Sequence, residues 1–104
     1  MEGGTSAIQS ILEDLTSTEG ILGSALIGFD GIVIADHFVV EVNLEKIGAL
    51  LSGAYNSIQR IFGDLKQGNV EQTWFQTERF SFLLYAAPIG LILTVARHDA
   101  PLGL

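Results

Sequence analysis

Apolar residues recur at alternating spacings of three and four through the stretch from Asn43 to Lys66, NLEKIGALLSGAYNSIQRIFGDLK. Leu44, Ile47, Leu51, Ala54, Ile58, Ile61 and Leu65 fall on one stripe of a long helix, and Leu50, Tyr55 and Phe62 widen it. Asn43 is placed to cap the start, Glu45 and Lys66 complement the helix dipole, and Gly68 is placed for a left-handed cap after the end. The opposite face carries Ala49, Ser52, Gly53, Asn56, Ser57 and Gly63, with Lys46, Arg60 and Asp64 as its charges. A solvated face would hold more Glu, Lys and Arg, and each interior glycine costs about 1 kcal/mol relative to alanine. Either this face merely tolerates glycine, or it is covered by a partner while the stripe is covered by the chain's own sheet.

The pattern elsewhere is shorter-ranged. Ile8, Ile11, Leu12 and Leu15 give a short amphipathic helix over Ala7 to Leu15, with Ser6 as a candidate cap and residues 1–6 as a flexible tail. Ile21 to Phe29 and Ile32 to His37 read as strands. Asp30-Gly31 between them signals a hairpin with a type I′ turn. Ala25-Leu26-Ile27 and Ile32-Val33-Ile34-Ala35 alternate poorly, which predicts strands covered on both faces. Gly23, Ser24, Ala25 and Gly28 make the first strand small, as expected beneath a packed helix. Three strands follow the long helix: Val70 to Thr77, Phe80 to Ala87 and Leu91 to Arg97, linked by Glu78-Arg79 and Pro88-Ile89-Gly90 as a meander. The first of these, VEQTWFQT, is polar but carries only Glu71 as a charge. Edge strands are usually blunted by Lys or Pro, so this one is either an ordinary half-exposed edge or pairs with another chain. Asp99 is placed to cap a further helix opened by Ala100 and Pro101. The order α-β-β-α-β-β-β predicts an α+β fold: one antiparallel five-stranded sheet with helices on its faces, in a single domain over residues 7–104.

Composition narrows the function classes. The chain has 104 residues, is 48% hydrophobic and carries a net charge of −7. An acidic chain is a poor match for nucleic acid or for anionic lipid. There is no cysteine, so neither a disulfide framework nor a thiolate zinc site is expected. The N-terminus lacks the basic and apolar regions of a signal peptide, and no apolar run reaches the length of a membrane span, so a cytoplasmic location is expected.

No catalytic constellation is legible. His37 and His98 lie far apart, and Asp36-His37 reads as a solvated strand end. Glu13 and Asp14 diverge by about 100° on their helix. No glycine fingerprint or phosphate-loop lysine is present, and Arg60 reads as a surface arginine rather than a catalytic finger. Neither an enzymatic activity nor a cofactor or metal is expected.

Three features together resemble the Roadblock domain family. They are the hairpin GILGSALIGFDGIVIA from Gly20 to Ala35, the small-residue helix from Leu44 to Leu65, and the meander with Pro88-Ile89-Gly90, followed by Ala100-Pro101-Leu102-Gly103. The resemblance spans about Ile8 to Gly103. It is nearer the prokaryotic MglB type than the dynein light chains, and it departs from that type in lacking a C-terminal helix. The resemblance implies a homodimer or heterodimer in which long helices pack together and polar third strands join the sheets. On this chain that interface comprises Ala49, Ser52, Gly53, Asn56 and Ser57 with Gln72, Thr73, Trp74 and Gln76. It also implies a non-catalytic scaffold that binds a small Ras-like GTPase and modulates its nucleotide cycle, through Lys46, Gly53, Asn56, Ser57 and Arg60. The alternatives are a light-chain adaptor indifferent to nucleotide state and a small-molecule sensor module with an enclosed pocket.

Overall fold

The computed structural model describes the backbone of residues 2–100 and the side chains of residues 7–100. In chain order it contains α1 (Glu2–Thr16), β1 (Ile21–Ile27), β2 (Val33–Phe38), α2 (Leu44–Asp64), β3 (Gln72–Gln76), β4 (Phe80–Ala87) and β5 (Gly90–Arg97). The five strands form one sheet in the order β2-β1-β5-β4-β3, antiparallel throughout. This is the expected α+β architecture. The C-terminal cap suggested by Asp99, Ala100 and Pro101 leads into residues 101–104, which lie outside the described residues.

Strand alternation sorts the core. Ala25, Ile27, Leu91, Leu93, Val95 and Leu84 are buried on one face of the sheet with Tyr55 of α2. On the other face α1 packs on β1 and β2. There Leu12 and Ser24 are buried, and the Ser24 hydroxyl donates to the Leu12 carbonyl at 2.8 Å. Thr16 donates to the same carbonyl at 2.8 Å, so the last turn of α1 is fixed to β1 by hydroxyl chemistry as well as by apolar contact. β1 is central and buried from Gly23 to Ile27, as its poor alternation predicts. The second strand is different: Ile32, which precedes β2, and Ile34, the bulged residue of this edge strand, both expected to be covered, are exposed.

Several local expectations are corrected. The backbone is helical from Glu2, where a tail was expected up to Ser6; once a helix is nucleated, each further residue adds a hydrogen bond at small entropic cost. The β1–β2 connection is not a type I′ turn. The Gly31 N–H donates to the Gly28 carbonyl at 2.8 Å, and the Gly28 N–H donates to the Ile32 carbonyl at 2.8 Å. Of the turn residues only Gly31 has positive φ, at 90°. This is the three-residue loop in which a left-handed glycine follows a type I turn. The small residue Gly23 makes room for an aromatic ring of the neighbouring strand, not for a helix: Phe38 lies directly opposite, and an added Cβ would fall within its ring.

α2 also differs at its ends and in its rotation. Its cap is the expected Asn43, whose side chain accepts from the Lys46 N–H at 3.3 Å. It closes on Lys66, not Gly68. Lys66 has φ 57°, its N–H donates to the Gly63 carbonyl at 3.0 Å, and the Gln67 N–H donates to the Phe62 carbonyl at 2.9 Å. These two bonds make a Schellman motif with lysine at the left-handed position. The buried line of the helix runs through Gly48, Ser52 and Tyr55, rotated from the apolar stripe. Leu50, Ile61, Phe62 and Leu65 are exposed. Gly31 dictates this rotation: its carbonyl lies 3.3 Å from where a Gly48 Cβ would sit, and Ser52 Oγ lies 2.9 Å from where a Gly31 Cβ would sit. The helix can approach the hairpin tip this closely only on its smallest side.

Candidate interaction surface on α2 and β3

The outward side of α2 presents Lys46, Ala49, Gly53, Asn56, Ser57 and Arg60, all exposed. Nothing lies within 4 Å of the position a Gly53 Cβ would take, so no packing inside this chain requires glycine there. Leu50 and Ile61 flank this small-residue strip on one side. Below Leu50 a groove lined by Ile47, Leu51 and Phe82 separates α2 from β4. It shares Ile47 and Phe82 with a deeper apolar hollow of about 330 Å³ that reaches Val40, Phe80 and Val95. The groove is open along its length, the form that suits protruding side chains of a protein better than an enclosed small ligand.

Ser52 does not belong to this surface. It is 4% exposed, donates to the Ala49 carbonyl at 3.1 Å and faces the hairpin tip. A small hydroxyl residue among glycines reads as part of the outer face, but here its size serves the inner one. Asn56 is exposed but already engaged, donating through Nδ2 to the Phe29 carbonyl at 3.1 Å. Lys46 and Arg60 make no ion pair among the described residues, where the salt bridge found is Arg97–Asp99.

β3 forms one edge of the sheet, with Gln72, Trp74 and Gln76 exposed on it and Thr73 half-buried. Trp74 is 43% exposed. The Thr73 hydroxyl is buried without a hydrogen-bond partner among the described residues. β3 is brought to α2 by a device the hydrophobic pattern does not reveal. The Tyr55 hydroxyl donates to the Val70 carbonyl at 2.8 Å, and the Val70 N–H donates to Gln59 Oε1 at 2.7 Å. Gln59 Nε2 also donates to Asn69 Oδ1 at 3.3 Å. Both backbone groups of Val70 are thus satisfied by α2, which fixes where the chain enters β3. The readable signal is a glutamine four residues after a buried tyrosine, on the same side of the helix.

Among the described residues no three His, Asp or Glu side chains gather in a metal-binding cluster. His37 and His98 lie apart: His37 is on the β2 edge, and the His98 backbone is tied to the Arg79 carbonyl at 3.1 Å. No helix among the described residues is long and apolar enough to cross a membrane.

The Roadblock/LC7 domain matches residues 7–97. The chain belongs to the Roadblock/LC7 family. A relative of this Roadblock/LC7 domain is the uncharacterized protein MJ0310 of Methanocaldococcus jannaschii, 34% identical over 97 residues, which are 93% of this chain and 85% of that protein. Among solved structures, MglB of Myxococcus xanthus aligns with a TM-score of 0.86 at 12% identity, covering 94% of this chain and 81% of the other. An MglB with a tetrameric arrangement aligns at 0.82 with 21% identity, covering 90% and 73%. At these identities the structural likeness speaks for the fold.

Proposed function

We propose that two copies of this Roadblock/LC7 domain pair through the outer face of α2 and the β3 edge, and that the pair is a non-catalytic cytoplasmic scaffold for a small Ras-like GTPase. The observation that carries the reading is Gly53. It is an exposed mid-helix glycine that the monomer does not need, set between Leu50 and Ile61 on one side and Asn56 and Arg60 on the other. Close helix–helix approach is the physical use for such a position. Ala49 and Ser57 extend the small strip, and Gln72, Thr73, Trp74 and Gln76 supply an edge without the lysine or proline that normally blocks pairing. The MglB fold likeness and family membership favour a GTPase as the partner. Lys46, Asn56, Ser57 and Arg60 then remain as the polar surface for it. Modulating a nucleotide cycle requires different affinity for the two states of the GTPase.

Sedimentation equilibrium of the purified chain across a wide concentration range tests the pairing, with a dimer expected and a monomer throughout overturning it. Pull-down with GTP- and GDP-loaded small GTPases tests the second half. Capture that favours one nucleotide state supports regulation, whereas equal capture of both points to an adaptor.

A further inference from the structure

The sheet has a second edge, and its chemistry is the reverse of β3. Ile32, just before β2, is 66% exposed and Ile34 within it is 55% exposed. Ile34 is the extra residue where the register steps from Leu26↔Ala35 to Ile27↔Val33. Exposed carboxylates follow this segment: Asp30 in the turn, Asp36 within the strand, Glu41 beyond its far end, and Glu45 on the first turn of α2 beside Ile32. None of the four is in an ion pair among the described residues. A hollow of about 310 Å³ lies between Gly31, Ile32, Val33 and Glu45. α1 covers one face of β2 and bonds two of its carbonyls, Gln9 donating to that of Asp36 at 3.0 Å and Thr16 to that of His37 at 3.2 Å, while no strand of this chain pairs with its outer side.

Bare apolar side chains on a strand edge normally invite self-pairing. Here an antiparallel second copy would bring two sets of Asp30, Asp36 and Glu45 into one seam, in a chain that already carries −7. Like charges placed opposite one another across a strand pair oppose pairing. The edge therefore discriminates by sign: it rejects its own kind and attracts cations. We propose that the β2 edge takes an extended, basic, β-branched segment of a partner protein as a sixth strand. Main-chain bonds to residues 34–36 would supply affinity. Valine or isoleucine would pack on Ile32 and Ile34, and lysine or arginine would meet Asp36 and reach Glu45 across the hollow. The segment's backbone N–H would replace Gln9 at the Asp36 carbonyl. This edge is opposite β3, so the proposal stands independently of the dimer.

The probe is a fluorescein-labelled heptapeptide alternating lysine and valine, titrated with the full chain and followed by anisotropy, with binding mapped by amide hydrogen exchange. The proposal expects protection gained at residues 34–36. The double variant Asp36→Lys/Glu45→Lys should lose at least tenfold in affinity, while Glu13→Lys/Asp14→Lys, with the same change of net charge, should lose less than threefold. Ile32→Ser/Ile34→Ser is the second probe of the edge, with the same loss expected should the charge variant not fold. Equal loss in the two charge variants, protection that appears at β3 instead, or no binding of the peptide would overturn it.

Discussion

Lys66 shows how a single residue can carry a cost that its neighbours conceal. It holds the left-handed conformation that ends α2, at φ 57°, with two Schellman bonds fixing it there. A side chain in that conformation costs about 1 kcal/mol that glycine does not incur. Replacing it with glycine adds unfolded-state entropy, which takes back part of the gain. Lys66→Gly should therefore stabilise the domain by about 0.5 kcal/mol, visible as a higher urea midpoint with unchanged slope. The sequence points instead to Gly68, which also has positive φ but lies two residues beyond the bonds that close the helix. Glycine marks where the chain can turn left-handed; the hydrogen bonds decide where it does. Tyr55 carries a second prediction at this scale. Its ring is in the core and its hydroxyl holds the Val70 carbonyl, so Tyr55→Phe should cost about 1 kcal/mol while leaving the ring's packing intact. A loss below about 0.3 kcal/mol would mean that water replaces the hydroxyl at no penalty.

At the scale of elements, the strand order, the two helical layers and the long central helix follow from periodicity, because spacing reports directly on which residues share a face. Rotation about the helix axis does not. The apolar stripe of α2 is wide, running from Leu50 to Tyr55, and any of several rotations would bury much of it. Contact with Gly31 selects one, turning Gly48 and Ser52 inward and Leu50 and Ile61 outward. For that reason the outer surface was legible at Lys46, Ala49, Gly53, Asn56, Ser57 and Arg60 as exposed positions, but not at Ser52. Gly53→Leu separates helix stability from association. Leucine is the better helix former by just under 1 kcal/mol and meets no atom of this chain. Far-UV circular dichroism should therefore be unchanged or slightly more helical. If two α2 helices approach at Gly53, the same substitution should weaken dimerisation at least tenfold, about 1.4 kcal/mol. A dimer of unchanged affinity would place the contact elsewhere.

For the whole molecule, the question is what a single copy leaves in water. Leu50 is exposed beside a groove floored by Phe82, Leu51 and Ile47 are only partly covered, and Ile61 of α2 and Trp74 of β3 are exposed elsewhere. A domain of this size buries a modest core, and its net stability is a small difference between large terms. Covering that groove in a dimer would then be a sizeable part of the total. Stability and association become linked, because a partner that binds only the folded chain raises the unfolding temperature by mass action. With an unfolding enthalpy of roughly 0.7 kcal/mol per residue, a tenfold rise in protein concentration should raise the thermal midpoint of a folded dimer by about 3 °C. Gly53→Leu should flatten that dependence while keeping the domain folded. The β2 edge enters differently. Lysine in place of Asp36 and Glu45 leaves the small strip of α2 around Gly53 and the β3 edge unaltered, so it should leave the concentration dependence intact while weakening capture of the basic peptide at least tenfold. A midpoint that does not move between micromolar and millimolar chain would mean that the exposed groove is stable in a single copy. The small strip on α2 would then serve a different partner directly.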